Sequence, residues 1–372
     1  MDRREFIRNS VGSAIAISGG KMLAAAETNQ KPVKSNGSGT GTKLAAYYIG
    51  ANVYTCVPRH IRNDMEWMAD KGTHYVFTSV LEQDLFASYE NLAMIIAEAS
   101  RVGMQVLAVP SRWGGLVAGA PKVPSLFSVL NPKTWMVNEK GTTKFMAQAT
   151  GAISSVHSPE TFKFFCDSLT EMYRQLPQLA GFVIDEPKCF LVDYSKMAIA
   201  ALGENAPETA HYAAAGDFFS RVCAFAKEKW PDKFTLMFQQ AHLSEAELAA
   251  GAAVKHLDFY GVDGRPWTLE DDTRLGKMPG NNEVGRGKVL LSGKGEAFIK
   301  SAHSVEGRKS FFLAENHNMR ASMVDAMEHN YASVLALRPD IFTYYYYPRN
   351  VEGADRAMEI IGRNLKQFSR SS

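Results

Sequence analysis

The stretch GFVIDEPKCF, Gly181–Phe190, sets a short hydrophobic run directly against two carboxylates and a proline. Residues 182–184, Phe-Val-Ile, have the composition of a buried β-strand. A buried strand has no use for Asp185 and Glu186 unless the strand ends there. We therefore expect the two acids at the C-terminal tip of a strand, and the rest of the chain shows which kind of sheet holds it.

Eight runs of this kind, rich in Val, Ile, Phe, Tyr and Leu, alternate with segments of helical period. They span residues 44–50, 74–80, 104–110, 181–187, 234–240, 257–263, 310–316 and 341–347. Strand–helix alternation repeated eight times is typical of an α/β protein with a single (β/α)8 TIM barrel, more than of an open doubly wound sheet. One extra apolar run, KVLLS at 288–292, is assigned to a loop because too little helix separates it from its neighbours.

Two predicted connections are longer than the usual βα loop of two to six residues. One follows strand three, from 111 to 157, and the other follows strand six, from 264 to 294. Both would emerge at the C-terminal face of the barrel, where such barrels place their active sites. The first loop begins SRWGGLVAGAPKVPSLF, and its aromatic, arginine and glycine content favours an ordered wall of a binding site.

The N-terminus is similar to a twin-arginine export signal. DRREFIRNS is followed by a short apolar stretch and by Ala24–Ala26, small residues of the kind that signal peptidases cleave. We predict a signal peptide at 1–26, a flexible Gly/Ser-rich linker at 27–42 and a catalytic barrel at 43–372. This organisation predicts a periplasmic or secreted bacterial protein.

Charge and motifs exclude several classes of function. The formal net charge is +2, and the first 26 residues carry that excess, so the mature chain has no basic stripe to bind nucleic acid. No amphipathic face indicates insertion into a membrane after signal cleavage. P-loop, Rossmann and serine-elbow motifs are missing from the sequence, and its four cysteines lack zinc-site spacing. We expect neither a cofactor nor a resident metal.

The seventh strand ends as the fourth does. In SFFLAENHN, Glu315 follows four apolar residues and precedes Asn316. The tips of strands four and seven face each other across the mouth of a closed barrel, so Glu186 and Glu315 can approach one ligand from opposite sides. Retaining glycoside hydrolysis uses such a pair, one carboxyl as acid/base and the other, about 5–5.5 Å away, as nucleophile.

At these two motifs the sequence resembles clan A of the glycoside hydrolases, whose catalytic glutamates stand on strands four and seven. The resemblance covers about residues 43–370 and implies that Glu186 is the acid/base and Glu315 the nucleophile. Clan members usually carry Asn before the acid/base, and this chain has Asp185. The family's Asn donates a hydrogen bond to the sugar 2-hydroxyl, whereas an ionised Asp only accepts one. Hexosaminidase-like barrels, which also show Asp-Glu on strand four, are the nearby alternative.

Polar and aromatic side chains at other strand tips are candidate contacts to an oligosaccharide, polysaccharide or glycoside substrate. Aromatic rings can stack on sugar faces, and amides or charged groups can bind hydroxyls. Besides Asp185, these candidates are Asn52, Arg112, Trp113, Gln239, Gln240, Asp263, Arg265, Trp267, Asn316 and Tyr347. Only alternate residues of the four consecutive tyrosines that end strand eight can face the site.

Two other functions remain open from the sequence. A metal-dependent sugar isomerase or epimerase would gather one divalent ion on Glu186, Asp263, Glu315 and His317, although a second histidine at a strand tip is hard to find. A non-catalytic carbohydrate-binding barrel would keep the aromatic residues but need not keep both glutamates.

Overall fold

The computed structural model describes residues 41–49, 56–147, 150–277 and 284–371. The predicted signal peptide and all of the predicted linker except Gly41 and Thr42 lie outside these residues. The candidate contact Asn52 lies outside them as well.

Eight parallel strands form a closed barrel, which confirms the predicted (β/α)8 fold. Each strand pairs with its neighbours in chain order, and the first strand also pairs with the last. The strands are β1 Lys43–Tyr48, β2 Thr73–Val80, β3 Gln105–Pro110, β4 Gly181–Asp185, β5 Phe234–Gln240, β6 Phe259–Thr268, β7 Lys309–Ala314 and β8 Ile341–Tyr346.

Alternation along each strand divides the core into two parts. Residues of one parity fill the interior of the barrel, as Val183 on β4 and Leu313 on β7 do. Residues of the other parity, such as Ile184 and Phe312, pack against the surrounding helices. Both faces of the sheet are apolar because both are covered, and the strands therefore read as continuous hydrophobic runs.

Helices follow every strand of the barrel. They are α1 Pro58–Asp70, α2 Asp84–Ala87, α3 Tyr89–Arg101, α4 Leu126–Leu130, α5 Pro159–Gln175, α6 Lys196–Leu202, α7 Glu208–Lys229, α8 Glu245–Ala252, α9 Leu269–Leu275, α10 Lys294–His303, α11 Ala321–Leu335 and α12 Ala354–Ser371. In α5 the Ser158 hydroxyl accepts a hydrogen bond from the Thr161 amide, and Pro159 takes the first turn, where its missing N–H costs nothing. Among the described residues, none of these helices combines the length and apolarity that crossing a bilayer requires.

The segment after β3 is elaborated rather than an open loop. It contains the 3-10 turns Trp113–Gly115 and Pro132–Thr134, helix α4, and an antiparallel pair of short strands, Phe145–Ala147 with Gly151–Ala152. The Ala118 amide donates to the Asp185 carbonyl at 2.7 Å, which fastens this segment to the tip of β4.

The predicted end of the sixth strand at Asp263 is wrong. β6 continues to Thr268 and leads directly into α9, so the long loop expected from residue 264 begins only after Leu275. The reason is a partner that the sequence did not reveal: Val289–Leu291, within the KVLLS run, pairs in parallel with the end of β6. The added strand extends the backbone hydrogen bonding past the rim of the barrel.

Candidate active site

Glu186 and Glu315 both lie at the C-terminal mouth of the barrel. Glu315 has the same parity as Leu313 and so continues the inward face of β7. Glu186 follows the inward-facing Asp185, and a left-handed backbone (φ 37°) at Glu186 breaks the strand alternation there. The Glu186 amide donates to the Phe238 carbonyl at 3.1 Å, and the Glu315 amide donates to the Gly264 carbonyl at 2.9 Å. These bonds fix both backbones to neighbouring strands.

Three carboxyl groups converge at this mouth. One oxygen each from Glu186, Asp263 and Glu315 lies within 4.8 Å of the other two. Asp263 and Glu315 are fully buried, and the side chain of Glu186 is 13% exposed. The structure thus brings the two glutamates together as the sequence predicted, with Asp263 as a third member.

Lys288 lies among the three carboxyl groups and was not among the residues predicted for the site. Its Nζ lies 2.9 Å from Glu186 Oε1, 2.8 Å from Asp263 Oδ2 and 3.0 Å from Glu315 Oε1, with the side chain wholly buried. The available signal was a lysine at the head of the apolar KVLLS run, where a buried charge needs partners. Nothing in the sequence showed which carboxyls supply those partners, since Glu186 is 102 positions away and the other two lie on different strands.

The surrounding charges give the three carboxyls different pKa values. Burial acts to raise the pKa of Glu315, but Lys288 and Arg265 outweigh it and the pKa is lowered. Burial is likewise outweighed at Glu186, where Lys188 and Lys288 hold the pKa well below its usual value. Burial and the neighbouring Glu186 raise the pKa of Asp263 well above its usual value, against Lys288. The surroundings thus favour the ionised form of the two glutamates and the protonated form of Asp263.

Asp185 lies below this centre and is bound to β1. The Tyr47 hydroxyl donates to Asp185 Oδ2 at 2.9 Å, and the same hydroxyl accepts from the Ala120 amide at 3.2 Å. Burial and the charge of Glu186 raise the pKa of Asp185 to about 7. The ring of Tyr47 stacks on Tyr345, with centroids 5.0 Å apart, and these two rings form the bottom of the site. Neither tyrosine was among the predicted contacts.

Arg265 is a partner of Glu315 rather than a group on the surface. Its guanidinium is fully buried, with Nε 3.6 Å from Glu315 Oε2 and Nη1 donating to the His317 carbonyl at 2.5 Å. The His317 ring lies 3.8 Å from Glu315 Oε1 through Nδ1. Arg265 thus places a positive charge beside Glu315, and its hydrogen bond to the His317 carbonyl fixes the backbone that follows Glu315.

The two predicted tryptophan platforms are wrong. Trp113 is fully buried, its indole N–H donates to the Val80 carbonyl at 2.9 Å, and its ring packs edge-on to Phe165. Trp267 is also fully buried, with its N–H 3.2 Å from Asp272. Neither ring has a free face for a sugar, because the added structure after β3 and β6 covers both.

Three further predicted contacts are directed elsewhere. Gln239 faces outward to α8, where its amide donates to the Glu247 carbonyl at 3.0 Å. The Asn316 side chain pairs with both backbone groups of Tyr345, at 3.0 and 2.8 Å. Tyr347 follows the end of β8 with a left-handed backbone (φ 47°) and lines an outer groove beside α1 and α12. Strand parity explains the first error, since Gln240 and not Gln239 is on the side of the mouth.

Arg112 mainly supports the loop after β3. Its Nε donates to the Pro121 carbonyl at 2.9 Å and its Nη2 to the Gly119 carbonyl at 2.8 Å. Burial lowers the pKa of this guanidinium, while Asp185 and Glu186 lie close enough to counter the effect. Arg112 therefore reaches the site through its charge more than through a free donor.

A cavity of about 290 Å³ opens beside Glu186. Its polar lining residues besides Glu186 are Lys188, Gln239, Gln240 and Glu247. Lys188 Nζ lies 2.5 Å from Glu186 Oε2, whereas Lys288 contacts Oε1. Of the predicted contacts, Gln239 and Gln240 both line this cavity, although the Gln239 amide is bound to α8.

Comparison with known proteins gives structural neighbours but no match in sequence. No protein-family profile matches the chain, and no curated protein matches it. Its fold is similar to that of a β-galactosidase from the psychrophilic Marinomonas ef1 (TM-score 0.58, 13% identity, 89% of this chain and 60% of that one). It is also similar to the catalytic domain of β-amylase from Paenibacillus polymyxa (0.58, 10%, 89% and 99%).

A third neighbour is a glycoside hydrolase of family 5, subfamily 18, from Streptomyces cattleya in complex with GlcNAc (TM-score 0.56, 13% identity, 89% of this chain and 80% of that one). This chain thus spans less than two thirds of the β-galactosidase. At such low identity these likenesses show a common barrel fold, and the chemistry must be argued from the site.

Proposed function

We propose that the protein is a glycoside hydrolase that cleaves an O-glycosyl bond in an oligosaccharide, polysaccharide or glycoside, with Glu315 as nucleophile and Glu186 as acid/base. The observation that carries this proposal is the convergence of two glutamates from β4 and β7, with oxygens within 4.8 Å, at the mouth of a barrel. Oxygens this close favour the retaining reaction, in which the carboxyl groups stand about 5–5.5 Å apart, over the inverting one, which needs about 6.5–9.5 Å to hold a water between them.

Glu315 has the properties of the nucleophile. A nucleophilic carboxylate must be ionised, and Lys288 and Arg265 keep the pKa of Glu315 low despite its burial. Its backbone is fixed to β6, and the Arg265 guanidinium approaches one of its oxygens, so the carboxylate is held in one orientation. Attack on the anomeric carbon would form a glycosyl-enzyme ester at this residue.

Glu186 must gain a proton before it can act as the acid. In the substrate-free site Lys188 and Lys288 keep its pKa low. Asp263 is the nearest source of that proton, because its pKa is raised and one of its oxygens lies within 4.8 Å of a Glu186 oxygen. A sugar that enters between the glutamates would separate Lys288 from Glu186, and the loss of that cation would raise the pKa of Glu186. A proton transferred from Asp263 to Glu186 would then allow Glu186 to act as the general acid.

Asp185 stands where clan A barrels usually have Asn, and its environment lessens the difference. Its pKa is raised to about 7, so it holds a proton more readily than an ordinary aspartate, and a protonated carboxyl can donate a hydrogen bond as Asn does. The Tyr47 hydroxyl occupies one oxygen, which leaves the other for a substituent at the sugar 2-position. A hydroxyl and an N-acetyl group both suit this arrangement.

The test uses activity on aryl glycosides that differ in their leaving group. Glu315→Ala should abolish turnover, and azide should restore it with a product of inverted configuration. Glu186→Ala should slow substrates with poor leaving groups by about 10²–10⁴-fold and spare activated phenolates, which depart without a proton. Product configuration and rates are followed by NMR and absorbance.

Glu90→Ala is the matched control, because Glu90 is an exposed glutamate on α3 far along the chain from either residue. It should leave every rate unchanged. Equal loss in both glutamate variants on all leaving groups, without azide rescue, would contradict the assigned roles.

A non-catalytic carbohydrate-binding barrel is the second candidate, and the contact of Lys288 with both glutamates favours it. An ammonium between the two carboxylates occupies the space that an anomeric carbon would need. Saturable sugar binding by the wild-type protein, with no turnover of any glycoside and no change in Glu315→Gln, would support this reading over hydrolysis.

A further inference from the structure

The Lys288 ammonium lies against three carboxyl groups. Its Nζ–O distances to Glu186, Asp263 and Glu315 are 2.9, 2.8 and 3.0 Å, which are those of close ion pairs, and the contact with Glu186 is a charge-assisted hydrogen bond. One ammonium thus contacts one oxygen of each carboxyl group. Three convergent carboxyls without such a cation would form a site of the kind that binds divalent metal ions.

We propose that Lys288 is the resident cation of this centre, a positioning residue that holds Glu186 and Glu315 together in place of a divalent metal ion. The inference deepens the site of the proposed hydrolase. Its test measures metal binding, so it can fail while the hydrolase proposal stands, and the reverse.

The charges around the centre support the exclusion of a metal. Three cations already surround the two glutamates: Lys288 contacts both, Arg265 approaches Glu315, and Lys188 pairs with Glu186. A divalent ion would add two uncompensated charges in a buried space, where they are costly. It would also need the point at which Lys288 Nζ stands, since one ion can reach all three carboxyls only from between them.

The backbone of Lys288 explains why its ammonium stays there. Its carbonyl accepts a 2.7 Å hydrogen bond from the Arg265 amide, at the start of the pairing between β6 and Val289–Leu291. The short strand Val289–Leu291, which was predicted as part of a loop, thus positions the Lys288 ammonium. The same pairing holds Arg265 and Lys288 on opposite sides of Glu315.

The experiment titrates Mn²⁺ into purified protein at neutral pH, by calorimetry and electron paramagnetic resonance. Lys288→Met removes the ammonium and keeps most of the side-chain volume. We expect no saturable Mn²⁺ binding by the wild type and one Mn²⁺ per chain in Lys288→Met, with a rise in Tm on addition of Mn²⁺ in the variant alone. Lys288→Met/Glu315→Gln should lose the ion again.

Lys188→Met is the matched control, because Lys188 also pairs with Glu186 but from the rim of the cavity. It should gain no Mn²⁺ site. Binding of Mn²⁺ by the wild type that Glu315→Gln abolishes would overturn the proposal, as would a folded Lys288→Met that binds no ion, or an equal gain in Lys188→Met.

A second measurement on the wild type covers the case in which Lys288→Met does not fold. Reductive methylation followed by peptide mass spectrometry should label Lys188, which is 23% exposed, and leave Lys288 unlabelled until the protein is denatured. Labelling of both lysines at similar rates in the native protein would show that Lys288 leaves the carboxyls readily, and would overturn its role as resident cation.

Discussion

Asp185 and Glu186 are neighbours in the chain, yet their surroundings shift their pKa values in opposite directions. Burial and the charge of Glu186 raise the pKa of Asp185 to about 7. Two lysines hold the pKa of Glu186 well below its usual value although burial opposes them. One carboxyl has a tyrosine as its partner and the other has two ammonium groups. Such pairs, with pKa values driven apart by their environment, are typical of sites that move protons.

The raised pKa of Asp185 makes a prediction about stability. The pKa of Asp185 is near 4 in the unfolded chain and about 7 in the folded protein, so between these pH values the native state binds more protons than the unfolded state. The contribution of Asp185 to the free energy of unfolding is therefore complete below pH 4 and is lost as the pH rises to 7. Asp185→Asn keeps an oxygen for the Tyr47 hydroxyl and removes the titration. Relative to wild type, the variant should therefore gain free energy of unfolding from pH 4 to 7, by at most about 1.4 kcal/mol per pH unit.

Urea unfolding at a series of pH values measures this difference. Asp217→Asn, an exposed aspartate on α7, is the control and should show no trend. A difference between Asp185→Asn and wild type that does not change from pH 4 to 7 would mean that Asp185 is ionised in the folded protein throughout.

The sequence indicated Glu186 and Glu315 because each acid ends a hydrophobic run, and the end of a strand is readable. It did not indicate which neighbours share their side of the sheet. In a parallel barrel both faces are apolar, so Gln239 and Gln240 look alike, although the Gln239 amide bonds to α8 and Gln240 has the inward parity of Phe238. Lys288 was missed for another reason: its role depends on partners from three different strands, one of them 102 positions earlier in the chain.

Among the elements of the fold, β6 both supplies side chains to the site and pairs with a strand beyond the rim of the barrel. It carries Asp263 and Arg265 into the site, and its extension pairs with the strand that begins after Lys288. Its hydrophobic run ended at residue 263 in the sequence, and the polar residues beyond looked like a loop. They are a strand because Val289–Leu291 supplies a pairing partner, an interaction that local composition cannot reveal.

Gly261 in β6 is a point where two strands approach closely. A Cβ at this position would stand 1.7 Å from the Phe311 carbonyl oxygen on β7, a backbone atom that cannot move without the strand. Gly261→Ala should therefore separate β6 from β7 and lower the free energy of unfolding by about 3 kcal/mol or more, at or above the upper end of ordinary overpacking. Urea unfolding followed by circular dichroism measures the loss.

Gly264 in the same strand is the matched control. A Cβ there meets the flexible Leu290 side chain and the Val289 backbone at 3.2 Å, so shifts of a few tenths of an ångström relieve the contact. Gly264→Ala should cost clearly less than Gly261→Ala. Equal costs would mean that the approach of β6 to β7 is not what Gly261 serves.

For the whole molecule, closure of the barrel depends on residues from Lys43 onward. β1 pairs with β8 from its first residue, Lys43 opposite Ile341, and the Lys43 amide donates to the Asp340 carbonyl at 2.8 Å. All eight strands of the closed sheet lie after residue 42. Arg3 and Arg4 are therefore not residues of the sheet, and they can be substituted to test their role.

We propose that the twin arginines direct export of the protein, and the last prediction concerns this role. Arg3→Lys with Arg4→Lys keeps the positive charge of the segment but removes the guanidinium pair of DRREFIR. The double variant should remain in the cytoplasm at full length, whereas the wild type should be recovered from the periplasm or medium as a shorter chain. Arg8→Lys, in the same segment but outside the pair, is the control and should be exported normally. Cell fractionation with mass spectrometry of the N-terminus gives both readings.

Because the barrel lies after residue 42, the retained variant should unfold at the same Tm as the exported protein. Equal recovery of the wild type and the double variant outside the cytoplasm would show that the arginine pair does not carry the signal.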